Sequence, residues 1–144
     1  MLIENPLNSE YAFPILECFH IVGFAVAIGS IALVDFRLLG FGLRRQDPAE
    51  LVKDTGMWVL ISLSTAIFAG LMLYSTDPDK YYLNPIFVGK IVCMVLAIVL
   101  NYTVHRKAVL PGASRAWGKV VACLSLVLWA SVIAAGMFIS FVAV

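Results

Sequence analysis

Four long apolar segments take up most of this 144-residue chain, and they limit what it can fold into. They cover about residues 13–43, 57–74, 85–107 and 116–142. A transmembrane helix needs roughly 20 mostly apolar residues, and each segment is close to that length or longer. Only 13% of the residues are charged, against about 25% in soluble domains. We therefore expect a single integral membrane domain over residues 1–144.

The loops between these segments are short, which favours an all-α, four-helix transmembrane bundle with up-down-up-down topology. The basic residues beside the first and third loops are Arg37, Arg44, Arg45, Lys53, Arg106, Lys107, Arg115 and Lys119. The second loop carries only Lys80. By the positive-inside rule, the first and third loops lie in the cytoplasm and both termini lie outside. A net charge of +1 gives no reason to expect nucleic acid, so the expected partner is the lipid bilayer.

Ionisable residues at membrane depth are the first candidates for function, because charge is costly there. One group lies toward the outer face and contains Glu17, His20 and Lys90. Glu17 and His20 are three residues apart and therefore share a face of helix one. At roughly 1.5 Å per helical residue, His20 is about 10 Å deep and Lys90 of helix three about 7 Å deep. We expect these side chains to lie at a similar height.

A second group lies toward the cytoplasmic face and contains Asp35 of helix one with Asn101 and His105 of helix three. Helix three carries one polar stripe, whose residues recur every three or four positions, and we expect it to face helix one. An unpaired carboxylate is costly in a membrane, so Asp35 is predicted to pair with His105, Arg106 or another cation in a structural role. The levels of His20 and His105 differ by about 22 Å, which excludes a metal held by both.

Three interpretations of His20 follow from the residues alone. As a neutral imidazole it is able to serve as axial ligand of a b-type heme, with Lys90, Met94 or Met137 as second ligand, or with an open position. As a proton-handling group it shares a proton with Glu17 or Lys90. In the third interpretation, His20 only hydrogen-bonds a neighbour and fixes helix packing.

Small residues recur at four-residue spacing in helix one, as Gly23 with Ala27 and as Ala25 with Gly29. Such pairs permit a close approach of two helices, and they also leave room for a flat macrocycle. The heme interpretation therefore assigns Gly23 and Ala27 to the cofactor wall, together with Met94. The chain has no Walker loop, Rossmann fingerprint, HExxH motif or nucleophile elbow, which leaves an independent enzymatic activity without support.

Residues 13–43, with His20 and the run VDFRLLG at 34–40, resemble a family of small, uncharacterised four-helix bacterial membrane proteins. The other positions that carry this resemblance are Asn84, Pro85, Lys90, Asn101, His105, Leu128, Trp129 and Gly136. Met137 stands where the pattern has a basic residue. The resemblance covers most of the chain and implies a multi-pass protein of the bacterial inner (cytoplasmic) membrane.

His20 in the first helix and Lys90 in the third are also similar to the pattern of heme-binding, oxygen-independent membrane protoporphyrinogen oxidases and of copper-resistance D-type membrane domains. This similarity implies heme b as cofactor and a redox or electron-transfer protein or subunit. In it, His20 is the axial iron ligand and Lys90 the second ligand or a charge partner. The alternative is a non-catalytic accessory or structural subunit, whose apolar outer faces bind other membrane subunits or a second copy of the chain.

Overall fold

The computed structural model describes residues 10–142, and this part of the chain consists of helices joined by short loops. Four elements are long and apolar enough to cross a membrane, which confirms the predicted all-α fold with four transmembrane helices. The helices are α1 (Ala12–Leu39), α2 (Pro48–Thr76), α3 (Pro78–Tyr82), α4 (Pro85–Leu100), α5 (Arg106–Ala108) and α6 (Arg115–Val142). A π-helical turn, Asn101–His105, joins α4 to α5 and makes them one spanning element. The predicted domain over 1–144 extends beyond the described residues at both ends.

The first helix is shorter than the apolar segment from which it was predicted, and it ends four residues earlier. Gly40 adopts a left-handed conformation with φ 91°, and its N–H donates to the carbonyl oxygen of Arg37 at 3.1 Å. Glycine is the residue that takes this conformation without steric cost, so the helix stops at Leu39 although apolar residues continue to Leu43.

The second helix begins well before the predicted span, which started at Met57. Asp47 is its N-cap and accepts the N–H of Ala49 at 3.4 Å, while Pro48 occupies the first helical position. The first two turns contain charged residues, so they are helical without being apolar. The third spanning element begins in the same way, because Asn84 accepts the N–H of Ile86 at 2.9 Å.

Packing between the spanning helices is uneven. Helix α1 packs along α2 and also contacts α6, and α6 packs against α4. Within residues 10–142, α2 and α4 have little or no close backbone contact. Three sides of the bundle are therefore closed by backbone packing, and the side between α2 and α4 is closed by side chains such as the stacked rings of Tyr74 and Phe87, 5.6 Å apart.

The two small-residue pairs of α1 have different environments. Gly23 and Ala27 are buried, and a Cβ built on Gly23 would lie 2.8 Å from the carbonyl oxygen of Ser62 in α2. Ala25 and Gly29 are exposed on the outer surface, and a Cβ on Gly29 would meet nothing within 4 Å. Only the first pair brings two helices together.

The core lies at the centre of the bundle and is formed by small and medium-sized apolar side chains around one tryptophan. Its buried members are Ala27, Ile31, Val59, Leu63, Ala97, Trp129 and Val132. Many large apolar side chains point outward instead, as expected where the surrounding solvent is lipid. Both polar groups predicted from the sequence border this core, one toward each end.

Candidate functional site

The outer group centres on the ring of His20, which α1 places half-buried between the helices. Its Nδ1 lies 2.7 Å from the backbone carbonyl oxygen of Ala66 in α2. A carbonyl oxygen only accepts hydrogen bonds, so Nδ1 carries the proton and donates it to Ala66. The other ring nitrogen, Nε2, is then left with a free lone pair when the imidazole is neutral.

Lys90 of α4 reaches that lone pair from the opposite side. Its Nζ lies 3.5 Å from Nε2 of His20, and it also stands 5.6 Å from the centre of the Phe24 ring. The same Phe24 ring meets the imidazole edge-on, with 4.9 Å between the ring centres. Two nitrogen atoms, from α1 and α4, therefore face each other beside an aromatic wall.

Two glycines on the remaining helices make room for this pair. A Cβ on Gly70 of α2 would lie 2.7 Å from Cε1 of His20, and a Cβ on Gly136 of α6 would lie 3.4 Å from Nζ of Lys90. All four spanning helices thus contribute to the outer group. Helices α1 and α4 supply the two side chains, and α2 and α6 each place a glycine where a larger residue would collide with them or crowd them. The sequence analysis missed Gly70, and its one available signal was a glycine inside an apolar helix, where glycine is intrinsically unfavourable.

Other residues assigned to the heme interpretation lie elsewhere. Gly23 and Ala27 are closed off by α2 and the core, so they line no open space that a macrocycle could enter. Met94 packs against the core, while Met137 is 64% exposed on the outer surface. Glu17 is exposed as well, and no hydrogen bond joins it to His20 in the described part of the chain. Small residues on a helix permit close packing or a cavity, and here they provide packing.

The inner group is a hydrogen-bonded chain of three buried side chains from three helical elements. The carboxylate of Asp35 accepts Nε2–H of His105 at 2.7 Å through Oδ1 and the hydroxyl of Ser125 at 2.7 Å through Oδ2. These residues are 0%, 2% and 1% exposed, in the order Asp35, His105, Ser125. The serine hydroxyl donates to the carboxylate and not to the imidazole, so the three side chains do not have the arrangement of a Ser-His-Asp triad.

The π-helical turn places the imidazole of His105 among these hydrogen-bonded side chains. Asn101 was predicted to belong to the same group, but it takes no part in the hydrogen bonds. Asn101 lines a neighbouring cavity of about 20 Å³, as do Tyr102 and His105. That volume is about what one water molecule needs and is far too small for an organic ligand. The inner group therefore satisfies a buried carboxylate and joins helices.

A bare metal ion has little to bind here. Within the described residues, no three His, Cys, Asp or Glu side chains come together as a metal site, and Cys18, Cys93 and Cys123 are free thiols. The outer pair offers two nitrogen donors. A porphyrin supplies the four equatorial nitrogens of its iron itself, so one or two axial side chains suffice to bind it. The outer pair thus offers as many nitrogen donors as a heme iron has axial positions.

Comparisons with known proteins return one relationship. No match is found among curated proteins or solved structures. A family model described as a family of unknown function, DUF6644, matches residues 10–142. This range takes in all the spanning helices and both polar groups. The chain accordingly belongs to the DUF6644 family.

Proposed function

We propose that this membrane protein binds a b-type heme at the outer pair, as a redox or electron-transfer protein or as a subunit of one. The observation that carries the proposal is the placement of two nitrogen donors, Nε2 of His20 and Nζ of Lys90, 3.5 Å apart on facing helices. In this proposal His20 is the axial ligand and Lys90 the second ligand or a charge partner.

The hydrogen bond from His20 to the Ala66 carbonyl supports the ligand role. Ligating histidines commonly donate their second ring N–H to a carbonyl or carboxylate, which sets the tautomer and orients the ring. Nδ1 of His20 makes this bond at 2.7 Å and Nε2 accepts a 3.5 Å hydrogen bond from Lys90, so iron binds at Nε2 in place of that lysine donor. The absence of a side chain at Gly70 lets the ring lie in that orientation. When bound, the heme supplies one-electron redox chemistry, while the protein sets its axial ligands and surroundings.

In this proposal the macrocycle does not lie against Gly23 and Ala27, where the sequence analysis expected it. Both residues are packed against α2 and the core. The side between α2 and α4 has little backbone contact, but the rings of Tyr74 and Phe87 stack across it, 5.6 Å apart, so a macrocycle that enters there has to separate these rings. His20 and Lys90 are half-buried, so neither side chain is fully closed off from the surface of the bundle.

Visible spectra of the purified protein, oxidised and dithionite-reduced, test the proposal after expression with ample heme. We expect a Soret band in the natural protein and at least a tenfold lower heme content in His20→Ala, because its axial ligand is lost. Gly70→Ala displaces the ring and should lower heme affinity by about 10–100-fold, the usual effect of disturbing the support of a ligand. Gly56→Ala is the matched control on the same helix, since a Cβ there meets no atom within 4 Å.

Two results would decide against this function. If the natural protein shows no Soret band, the heme proposal is wrong. The accessory-subunit alternative then remains, because it needs only a packed bundle and apolar outer faces. A Soret band that persists unchanged in His20→Ala removes the ligand assignment even if heme is bound. His105→Gln keeps a donor for Asp35 and serves as the second histidine control, with heme content expected to stay near that of the natural protein.

We also propose that the protein lies in the bacterial inner membrane with its first and third loops in the cytoplasm. The basic residues beside those loops support this orientation. In a variant with its cysteines replaced, Asp79→Cys should react with a membrane-impermeant maleimide added outside spheroplasts, and Gln46→Cys only after lysis. Labelling of Gln46→Cys in intact spheroplasts, with Asp79→Cys protected, would show the reverse orientation.

A further inference from the structure

A large cleft lies at the end of the bundle that carries the first and third loops, away from both polar groups. Its volume is about 660 Å³. Its walls are the end of α1 (37–40), the first loop with the start of α2, the segment 108–114, and the first turns of α6. Four segments distant in the sequence therefore enclose one space, and neither the outer nor the inner group lies in it.

The charge of this cleft is strongly positive and largely uncompensated. Arg44, Arg115 and Lys119 line it, and none of them has a hydrogen bond or ion pair from its side chain to any residue of 10–142. Asp47 is the one acidic residue in the lining, and its carboxylate caps α2 through the N–H of Ala49. Besides Arg37, three cations thus share the cleft with a single carboxylate.

The fourth cation in the lining has a structural task. The guanidinium of Arg37 donates from Nε to the carbonyl oxygen of Gln46 at 2.7 Å and from Nη2 to that of Arg44 at 3.4 Å. These bonds hold the first loop against the end of α1. Arg37 therefore builds the cleft, and Arg44, Arg115 and Lys119 are the groups left to bind a ligand.

The apolar part of the lining places the cleft at the edge of the hydrocarbon region. Leu38, Val109 and Leu110 contribute to its wall. Beside it in the sequence, Phe41 and Trp117 are 69% and 48% exposed. Exposed aromatic residues at helix ends are typical of the interface between lipid and water. The cleft consequently combines cations at headgroup level with an apolar wall that leads toward the acyl chains.

We propose that this cleft binds the phosphodiester headgroup of an anionic phospholipid. Arg44, Arg115 and Lys119 contact the phosphate, and the apolar wall receives the first part of an acyl chain. Basic pockets between transmembrane helices have this combination of charge and depth, and arginine binds phosphate oxygens through two N–H groups at once. A soluble phosphate offers the same charge but no acyl chain, so it leaves the wall of Leu38, Val109 and Leu110 uncovered.

The test is native mass spectrometry of the purified full chain in a neutral detergent, titrated with phosphatidylglycerol, phosphatidylcholine or inorganic phosphate. We expect phosphatidylglycerol to bind in preference to the other two. The variant Arg44→Gln/Arg115→Gln/Lys119→Gln should bind phosphatidylglycerol roughly 100-fold more weakly, since each cation contributes about fivefold.

The matched control is Arg45→Gln/Lys53→Gln/Lys107→Gln, which removes three positive charges from the same end of the bundle but outside the lining. We expect this control to change binding by less than about fivefold, the contribution of one cation. Equal losses in the two triple variants would mean diffuse surface attraction and would overturn the site. Equal binding of phosphatidylcholine would overturn the charge argument, and inorganic phosphate binding as tightly as phosphatidylglycerol would overturn the lipid assignment. Heme content is read separately, so this proposal stands or falls independently of the proposed function.

Discussion

Asp35→Leu is expected to lower the free energy of unfolding by about 2–5 kcal/mol. The carboxylate is fully buried and accepts hydrogen bonds from both His105 and Ser125. Leucine has no acceptor atom and leaves two buried donors without one, and each such group costs about 1–3 kcal/mol. Reversible unfolding of the purified protein by SDS in mixed micelles measures the change.

Conservative and double variants show whether the loss comes from these hydrogen bonds. Asp35→Asn keeps an amide oxygen for His105 and an amide N–H₂ that the Ser125 hydroxyl oxygen accepts, so most of the stability should return. In a cycle of Asp35→Leu and His105→Leu, we expect a coupling of about 0.5–3 kcal/mol, because the second substitution removes one of the orphaned donors. If Asp35→Leu is as stable as the natural protein, the hydrogen bonds among Asp35, His105 and Ser125 have no structural role.

Gly23→Ala should destabilise the bundle by about 1–3 kcal/mol, the usual cost of overpacking a tight contact. The added Cβ would lie 2.8 Å from the carbonyl oxygen of Ser62 and 3.0 Å from the backbone nitrogen of Ala66. Both are backbone atoms of α2, so the conflict is relieved only if the two helices move apart. The same SDS unfolding measurement applies.

Gly29→Ala is the matched control, six residues further along the same helix. Its Cβ would meet no atom within 4 Å, and alanine is a better helix former than glycine. We expect a stability equal to the natural protein or up to about 1 kcal/mol higher. If the two alanine variants unfold alike, the close contact of Gly23 with α2 is not what holds these helices together.

The relative levels of the polar groups along the bundle were predictable. Segment length and hydropathy decide how many helices cross a bilayer, because lipid cannot satisfy an exposed backbone or a charge. Counting residues from the ends of the segments then placed His20 with Lys90, and Asp35 with His105, and the structure has both pairs in contact. Each polar residue could be assigned to the outer or the inner group without coordinates, since every α-helix rises 1.5 Å per residue.

The rotation of each helix about its axis was not predictable, and most errors follow from that. In water, polar residues mark the outer face of a helix, but lipid is as apolar as a protein core. Helix α1 is apolar apart from a few side chains such as His20 and Asp35, and the spacing of its small residues alone did not separate the buried Gly23 from the exposed Gly29. For the same reason Gly70 and Ser125 became part of the two groups only once α2 and α6 were packed in place.

The cleft and the π-helical turn depend on contacts over still longer distances. The cleft needs the ends of α1 and α5 and the starts of α2 and α6 at one level, with Arg37 holding the first loop in place. The turn over 101–105 has no sequence signature of its own, yet the imidazole at its end reaches a carboxylate 70 residues earlier. Local composition was enough to set the number and depth of the helices. Which side of each helix faces its neighbours was decided by close packing, because only packing distinguishes one apolar surface from another inside a membrane.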